Sequence, residues 1–263
     1  LLSRHTTAEQ LVEIANTDTS HITRLWAYRI LLKKADKQVF DVLKQALKDT
    51  THVELQSGCN GFEEPYNHTA ITIYRYEGNE LKLSNQLRFS LDSLIFFGYM
   101  KNKGFENGLL MDFKPHKIYY ATVIEEADKG NYAILPLLAQ YKNPNDRQRI
   151  NKLLKALLKE DGICSYEACD AISNWNDPAF EWYAKAACQA TIKQEYYDAD
   201  EVLQLLCAYP TPWSYQILKE LLTQKGDYSN SDTAKDYLRE LYKTHPVPPI
   251  FKPLYDMYVA RKK

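Results

Sequence analysis

Four prolines, Pro144, Pro178, Pro212 and Pro246, stand at one repeated spacing of 34 residues. Chance does not readily place them so in a chain with 11 prolines. Three residues before the first three of them stand Tyr141, Trp175 and Tyr209; the fourth departs, with Lys243 there and Tyr242 one place earlier. Each proline separates two short runs whose apolar residues recur at the helical period, as in "YEACDAISNW" before Pro178 and "AFEWYAKAAC" after it. Proline suits the first turn of a helix, where its missing N–H has no partner to lose, and it disfavours helix in the residue before it. Asn143, Asp177, Thr211 and His245 hold that preceding place, and Asn, Asp and Thr are good N-cap types. The predicted unit is therefore helix, proline turn, helix. Such pairs bury their apolar faces only by stacking on one another, so the C-terminal half is expected to form an α-solenoid.

The stretches "YEACDAISNWNDPAFEWYAKAA" and "ILPLLAQYKNPNDRQRINKLLKAL" resemble the HEAT-like pattern, in which an Ala-rich helix ends, an Asp-Pro or Asn-Pro turn follows and a new helix begins. The small-residue pattern of tetratricopeptide repeats, which share the period, is absent. The resemblance covers residues 130–260. It implies scaffolding or binding surfaces far more often than catalysis.

Helical runs also fill residues 7–48. "SHITRLWAYRILLKK" and "DKQVFDVLKQALKD" mirror the repeat layout, with Ala35-Asp36 replacing the proline turn, and Arg24, Ala27, Leu31 and Leu32 lie in a run similar to a HEAT second helix. From Thr51 the pattern changes. "HVELQSG" and "TAITIYRY" are alternating and β-branched, with "EGNE" as a turn signal, so residues 51–83 are expected to be a β-containing insertion. "LSNQLRFSLDSLIFF" then returns to helix with Ser84 as its N-cap, and residues 98–116 read as a Gly- and Pro-bearing loop. The order of these motifs over residues 1–180 is similar to a group of uncharacterised bacterial HEAT-like proteins, which supports the fold and passes on no activity.

The expected fold class is thus mainly α: an α-solenoid of HEAT-like helix pairs with a small β-hairpin insertion. Its parts are N-terminal helices (1–50), the insertion (51–83), a helix with a connecting loop (84–130) and four repeats (131–263), forming one continuous domain.

Totals narrow the function. A net charge of −1 and a pI near 6.7 lack the basic footprint of a nucleic-acid binder. No apolar run is long enough for a membrane span. Nine glycines argue against phosphate-cradling loops, and no cofactor is expected. The 20 tyrosines suit either half-buried seams between helices or anchors for a partner. Five cysteines without CxxC pairs give no disulfide framework and no zinc knuckle. The chain opens on Leu1 rather than Met, which leaves cytoplasm, periplasm and cell envelope all open.

The catalytic candidate is Cys59 in "SGCNG", with His52 or His68 as base, though nothing in the sequence orients such a base. The same His52, Cys59 and His68 are the best metal set, and Asn67-His68-Thr69 matches a glycosylation sequon. Charge says more. Residues 142–160 carry six basic residues against two acidic, and residues 161–201 carry nine acidic against two basic. Lined up on neighbouring helices, Glu167, Asp170, Asp198, Asp200 and Glu201 would form an acidic ridge, with Asn174 and Gln204 beside it. That ridge reads either as an ordinary solvated face or as a docking surface for a basic protein.

The function expected is a non-catalytic protein-binding scaffold, with a bacterial toxin-neutralising (immunity) protein as the specific case. The alternatives are an enzyme, either a thiol hydrolase using Cys59 or a HEAT-like DNA glycosylase, and a cell-envelope structural module. The acidic segment argues against DNA.

Overall fold

A computed structural model describes residues 6–57, 60–78, 81, 83–104, 110, 113–160, 165–193, 199–223 and 231–260. The chain is mainly helical with a small two-stranded antiparallel sheet. It divides into two units, Leu1–Phe105 and Glu106–Lys263.

In the first unit, α1 (Ala8–Thr17) starts with a capping box between Thr7 and Gln10. Helix α2 (His21–Lys33) is capped by the Ser20 side chain, and α3 (Val39–Ala46) follows a tight turn. Strands β1 (His52–Ser57) and β2 (Asn60–Pro65) pair in register from His52↔Pro65 to Ser57↔Asn60. Helix α4 spans Tyr66–Gly78. Helix α5 (Asn85–Leu94), capped by Ser84 as expected, runs on through a widened turn at Ile95–Met100 to Lys103. Arg24 knits this unit together. Its Nε donates to the Ala15 carbonyl (3.0 Å), its Nη1 to Asp49 (2.8 Å), and its guanidinium lies 4.4 Å from the Tyr66 ring centroid. Ala27, Leu31 and Leu32 are fully buried beneath it.

Two sequence expectations change here. "TAITIYRY" lies in α4, and the second strand is residues 60–65. Tyr66, Ala70, Tyr74 and Gly78 are buried at a four-residue interval, so packing one helical stripe overrides β-branched propensity. The helix likewise continues past Gly98, and residue 104, a glycine with φ of 109°, ends it. Part of the expected loop, residues 105–109 and 111–112, lies outside the described residues.

In the second unit come α6 (Lys117–Asp128), α7 (Leu135–Gln140), α8 (Arg147–Glu160), α9 (Tyr166–Trp175) and α10 (Glu181–Thr191). Then follow α11 (Ala199–Ala208), α12 (Pro212–Thr223), α13 (Ser231–Thr244) and α14 (Lys252–Leu254, running on to Val259). Pro144 and Pro178 each open a three-residue turn that leads into a helix, and Pro212 is the first residue of one. Pro246 departs: it follows α13, but the next helix begins only at Lys252. Helix α9 packs on α7 and on α11, and α11 packs on α13. The intervening helices pack in the same way, α8 on α6 and α10, and α10 on α12.

The aromatic before each proline has a defined role. The Tyr141 hydroxyl donates to the His116 carbonyl (2.8 Å). Tyr209 places its hydroxyl between the carbonyls of Ile172 (3.2 Å) and Asp177 (3.1 Å), at the preceding proline turn. Trp175 meets Phe180 edge-on across its own turn, with centroids 5.1 Å apart. Tyr209 alone of the three ties one proline turn to the preceding one, while Tyr141 bonds the residue before α6 and Trp175 packs within its own turn.

Candidate functional site

Among the described residues, the acidic side chains singled out from the sequence differ in exposure. Glu167, in the first turn of α9, is buried and accepts a hydrogen bond from the Ser165 hydroxyl at 3.1 Å. Asp170 is half-buried and accepts from the exposed Asn174 amide at 2.8 Å. Gln204 donates to the Ser173 hydroxyl at 2.8 Å, tying α11 to α9. Asp200 and Glu201 stand in the first turn of α11, where carboxylates complement the helix dipole. Asp198 lies outside the described residues. So Asp170 and Asn174 pair with each other, Gln204 reaches the intervening Ser173, and Glu167 is buried.

The basic segment is partly committed to ion pairs inside the unit. Arg147 binds Asp177 (2.7 Å), and Arg149 binds Asp128 (2.6 Å) and the buried Asp146 (2.7 Å). Lys152 and Lys155 line a wide polar depression with Gln148, Asn151 and Trp182, whose indole donates to Asn151 at 2.7 Å.

Little thiol, metal or glycan chemistry is assembled. Cys59 lies outside the described residues. His68 Nδ1 is 2.5 Å from Glu64, and His52 begins β1 at the far end of its ladder from Ser57. Among the described residues no group of three or more His, Cys, Asp and Glu side chains is arranged to hold a metal ion. Burial pushes the Cys207 thiol up to about 11, so it supplies no thiolate near neutral pH, and Cys169 and Cys188 are buried. Asn67 of the sequon is 2 % exposed in the first turn of α4, closed to glycan attachment.

A more telling surface lies in the first unit. On α2, Leu25, Tyr28, Leu31 and Leu32 face the core, whereas Ile22, Trp26 and Arg29 form a second stripe at the same helical spacing. Leu55 and Phe62 pair across the hairpin on one of its faces. Thr69, Thr72, Ile73 and Tyr76 contribute from α4. Together they line a groove of about 700 Å³. Its apolar walls stay open to solvent: Ile22 is 41 %, Phe62 47 %, Trp26 50 % and Tyr76 79 % exposed. Single exposed apolar residues are ordinary, but four large ones around one depression are not.

The groove is held in shape from below. Arg29 pairs with Glu77 on α4, Lys33 Nζ lies 3.7 Å from the same carboxylate, and the Arg29 guanidinium lies 4.9 Å from the Trp26 ring centroid. Glu64 of β2 accepts from the Thr69 hydroxyl at 3.0 Å and meets His68, fixing the hairpin to α4. The sequence did carry a signal for this site: Ile22 and Trp26 are too apolar for the polar face of an amphipathic helix. The hairpin half of the groove had no such signal, because Phe62 was not placed in a strand.

No protein family model matches this chain, and neither a curated protein nor a solved structure matches it. Among the described residues no helix is long and apolar enough to cross a membrane.

Proposed function

We propose that this chain is a non-catalytic protein-binding scaffold, an array of HEAT-like helix pairs whose docking surface is the groove between α2, α4 and the hairpin. The observation that carries the reading is the exposed cluster of Ile22, Trp26, Phe62 and Tyr76 on a rigidly braced floor. Aromatic side chains in a preformed depression supply large contact area at low entropic cost, which is why they dominate binding hot spots. The regular packing of α7, α9, α11 and α13 on one another, and of α6, α8, α10 and α12, supports the solenoid part of the reading.

The test is capture by the full chain compared with its Trp26→Ala/Phe62→Ala variant. Each half-exposed ring contributes little to the core, so the variant melts close to the parent. Removal of each anchor costs about 2 kcal/mol of binding, roughly thirtyfold in Kd. Proteins held by the parent are therefore lost from the variant. Identical capture profiles by quantitative mass spectrometry would remove the groove from the function.

A further inference from the structure

We infer that the depression between α8 and α10 is a second docking surface, and that its occupant is acidic. A segment of a partner protein sets aspartate or glutamate side chains on Lys152 and Lys155 and an apolar side chain on Trp182. The inference stands apart from the groove of the first unit and does not rest on it.

Helical spacing sets the face that α8 leaves to solvent. Ile150, Leu153, Leu154 and Leu157 are buried on one side of the helix. Gln148, Lys152, Lys155 and Lys159 recur at steps of four, three and four, so they form a stripe on the opposite side, and all four are exposed. On α10 the buried residues are Tyr183, Ala184, Ala187 and Cys188, and Trp182 stands on the side away from them. Its indole donates to Asn151 of α8 at 2.7 Å, while 37 % of the residue remains exposed. A ring already held by its own hydrogen bond loses little freedom when a partner covers it.

Charge decides the occupant. Arg147 and Arg149 are neutralised within the unit by Asp177, Asp146 and Asp128. Among the described residues, Lys152 and Lys155 make no ion pair and no hydrogen bond. Asp128 is the one carboxylate among the described residues that line the depression, and Arg149 holds it through Nε (2.6 Å) and Nη2 (3.2 Å). Uncompensated charge across this depression of about 1010 Å³ is consequently positive. Lys152 and Lys155 stand one turn apart, where like charges repel, and an incoming carboxylate relieves that repulsion. A nucleic acid needs a longer basic track than this stripe. Helix α8 ends on Glu160 directly after Lys159, and residues 161–201 carry nine acidic residues against two basic. A short acidic stretch of protein meets the lysines without needing more. The ring would supply affinity, and the lysines would select charge and raise the rate of encounter.

A random peptide library displayed on phage, panned on the full chain, tests this directly. Clones that bind the parent but not Lys152→Gln/Lys155→Gln are expected to be enriched in aspartate and glutamate beside large apolar residues. Synthetic peptides from that set should lose about fivefold in affinity, and most of their salt dependence, on the glutamine variant. Trp182→Ala should weaken the same peptides by about tenfold. Exposed lysines add nothing to the core, so the glutamine variant melts with the parent. Lys152→Glu/Lys155→Glu should select basic peptides instead, a gain that a damaged fold cannot produce. Lysine-dependent clones without acidic enrichment, or an absence of lysine-dependent clones, would overturn the inference. Acidic peptides that bind Trp182→Ala as tightly as the parent would reduce the surface to unspecific attraction and overturn it as well. So would a labelled single-stranded oligothymidylate that binds more tightly than the peptides and is lost on the glutamine variant, because the ligand would then be a nucleic acid.

Discussion

The turn at Ala35–Asp36 in the first unit and the turn at Asn176–Asp177 in the second are the same device built with different residues. In each, a left-handed residue ends the helix, with φ of 51° at Ala35 and 52° at Asn176. The next residue is an aspartate whose side chain accepts the N–H two positions on, at 2.8 Å from Gln38 and 3.0 Å from Ala179. Its carbonyl then accepts the N–H three positions on, from Val39 and from Phe180. Lys142–Asn143 repeats the pattern, with φ of 50° and a 3.1 Å bond from Asn145. The difference is the following residue: Lys37 in the first unit, proline in the second. Proline therefore marks this turn without making it. The left-handed residue and the short polar cap do the work.

A second difference separates the two aspartates. Asp36 only caps, whereas Asp177 is buried and also receives Arg147 through Nε at 2.8 Å and Nη2 at 2.7 Å. Asp177→Ala removes a cap and strands Arg147, whose Nε and Nη2 both meet Oδ2, so it should cost about 2–3 kcal/mol, discounted because Arg147 is half exposed. Asp36→Ala should cost about 1 kcal/mol, the ordinary value of a cap. Chemical denaturation of both variants checks the ranking. Equal losses would mean that Arg147 adds nothing, and the two turns would then be energetically as well as geometrically alike.

One ion pair of the first unit, Arg24 with Asp49, answers to pH. Burial pushes the Asp49 carboxyl up, but hydrogen bonds from Thr51 and the Arg24 guanidinium outweigh it and hold it below the ordinary carboxylate value. The folded state therefore binds this proton less readily than the unfolded chain. The resulting stabilisation is complete above the unfolded pKa of about 3.9 and is lost as pH falls through the lower folded value. Asp49→Asn should flatten the acid limb of the stability profile below about pH 4 while lowering stability at pH 7. An unchanged acid limb would assign the loss to other carboxylates.

Local features were legible in the sequence, and features made by packing were not. The proline turns at Pro144 and Pro178 and the caps at Ser84, Asn143 and Asp177 depend on a few adjacent residues, and each is found in place, whereas Pro246 does not open a helix. Ala35-Asp36 was legible as a substitute turn for the same reason. "TAITIYRY" was not, because its β-branched residues satisfy either period and only the neighbouring α2 and α3 decide for helix. Glu167 illustrates the limit for sites. Its helix was placed correctly, yet burial depends on rotation of that helix against its neighbours. The groove is harder still, since it needs two helices and a strand from separate parts of the sequence.

The smallest effect tests the comparison most directly. If the left-handed residue and the cap define the turn, a proline at position 37 should be accepted where Pro178 stands in the second unit. Hydrogen bonds in the turn come from Gln38 and Val39 rather than from Lys37, so the substitution removes no donor that the turn uses. Lys37→Pro then acts on the unfolded chain, by restricting it, and should stabilise the protein by roughly 0.5–1 kcal/mol. Thermal unfolding of the variant against the parent measures it. Destabilisation would show that the backbone at Lys37 differs from that at Pro178, and that the two turns share their capping bonds but not their path into the next helix.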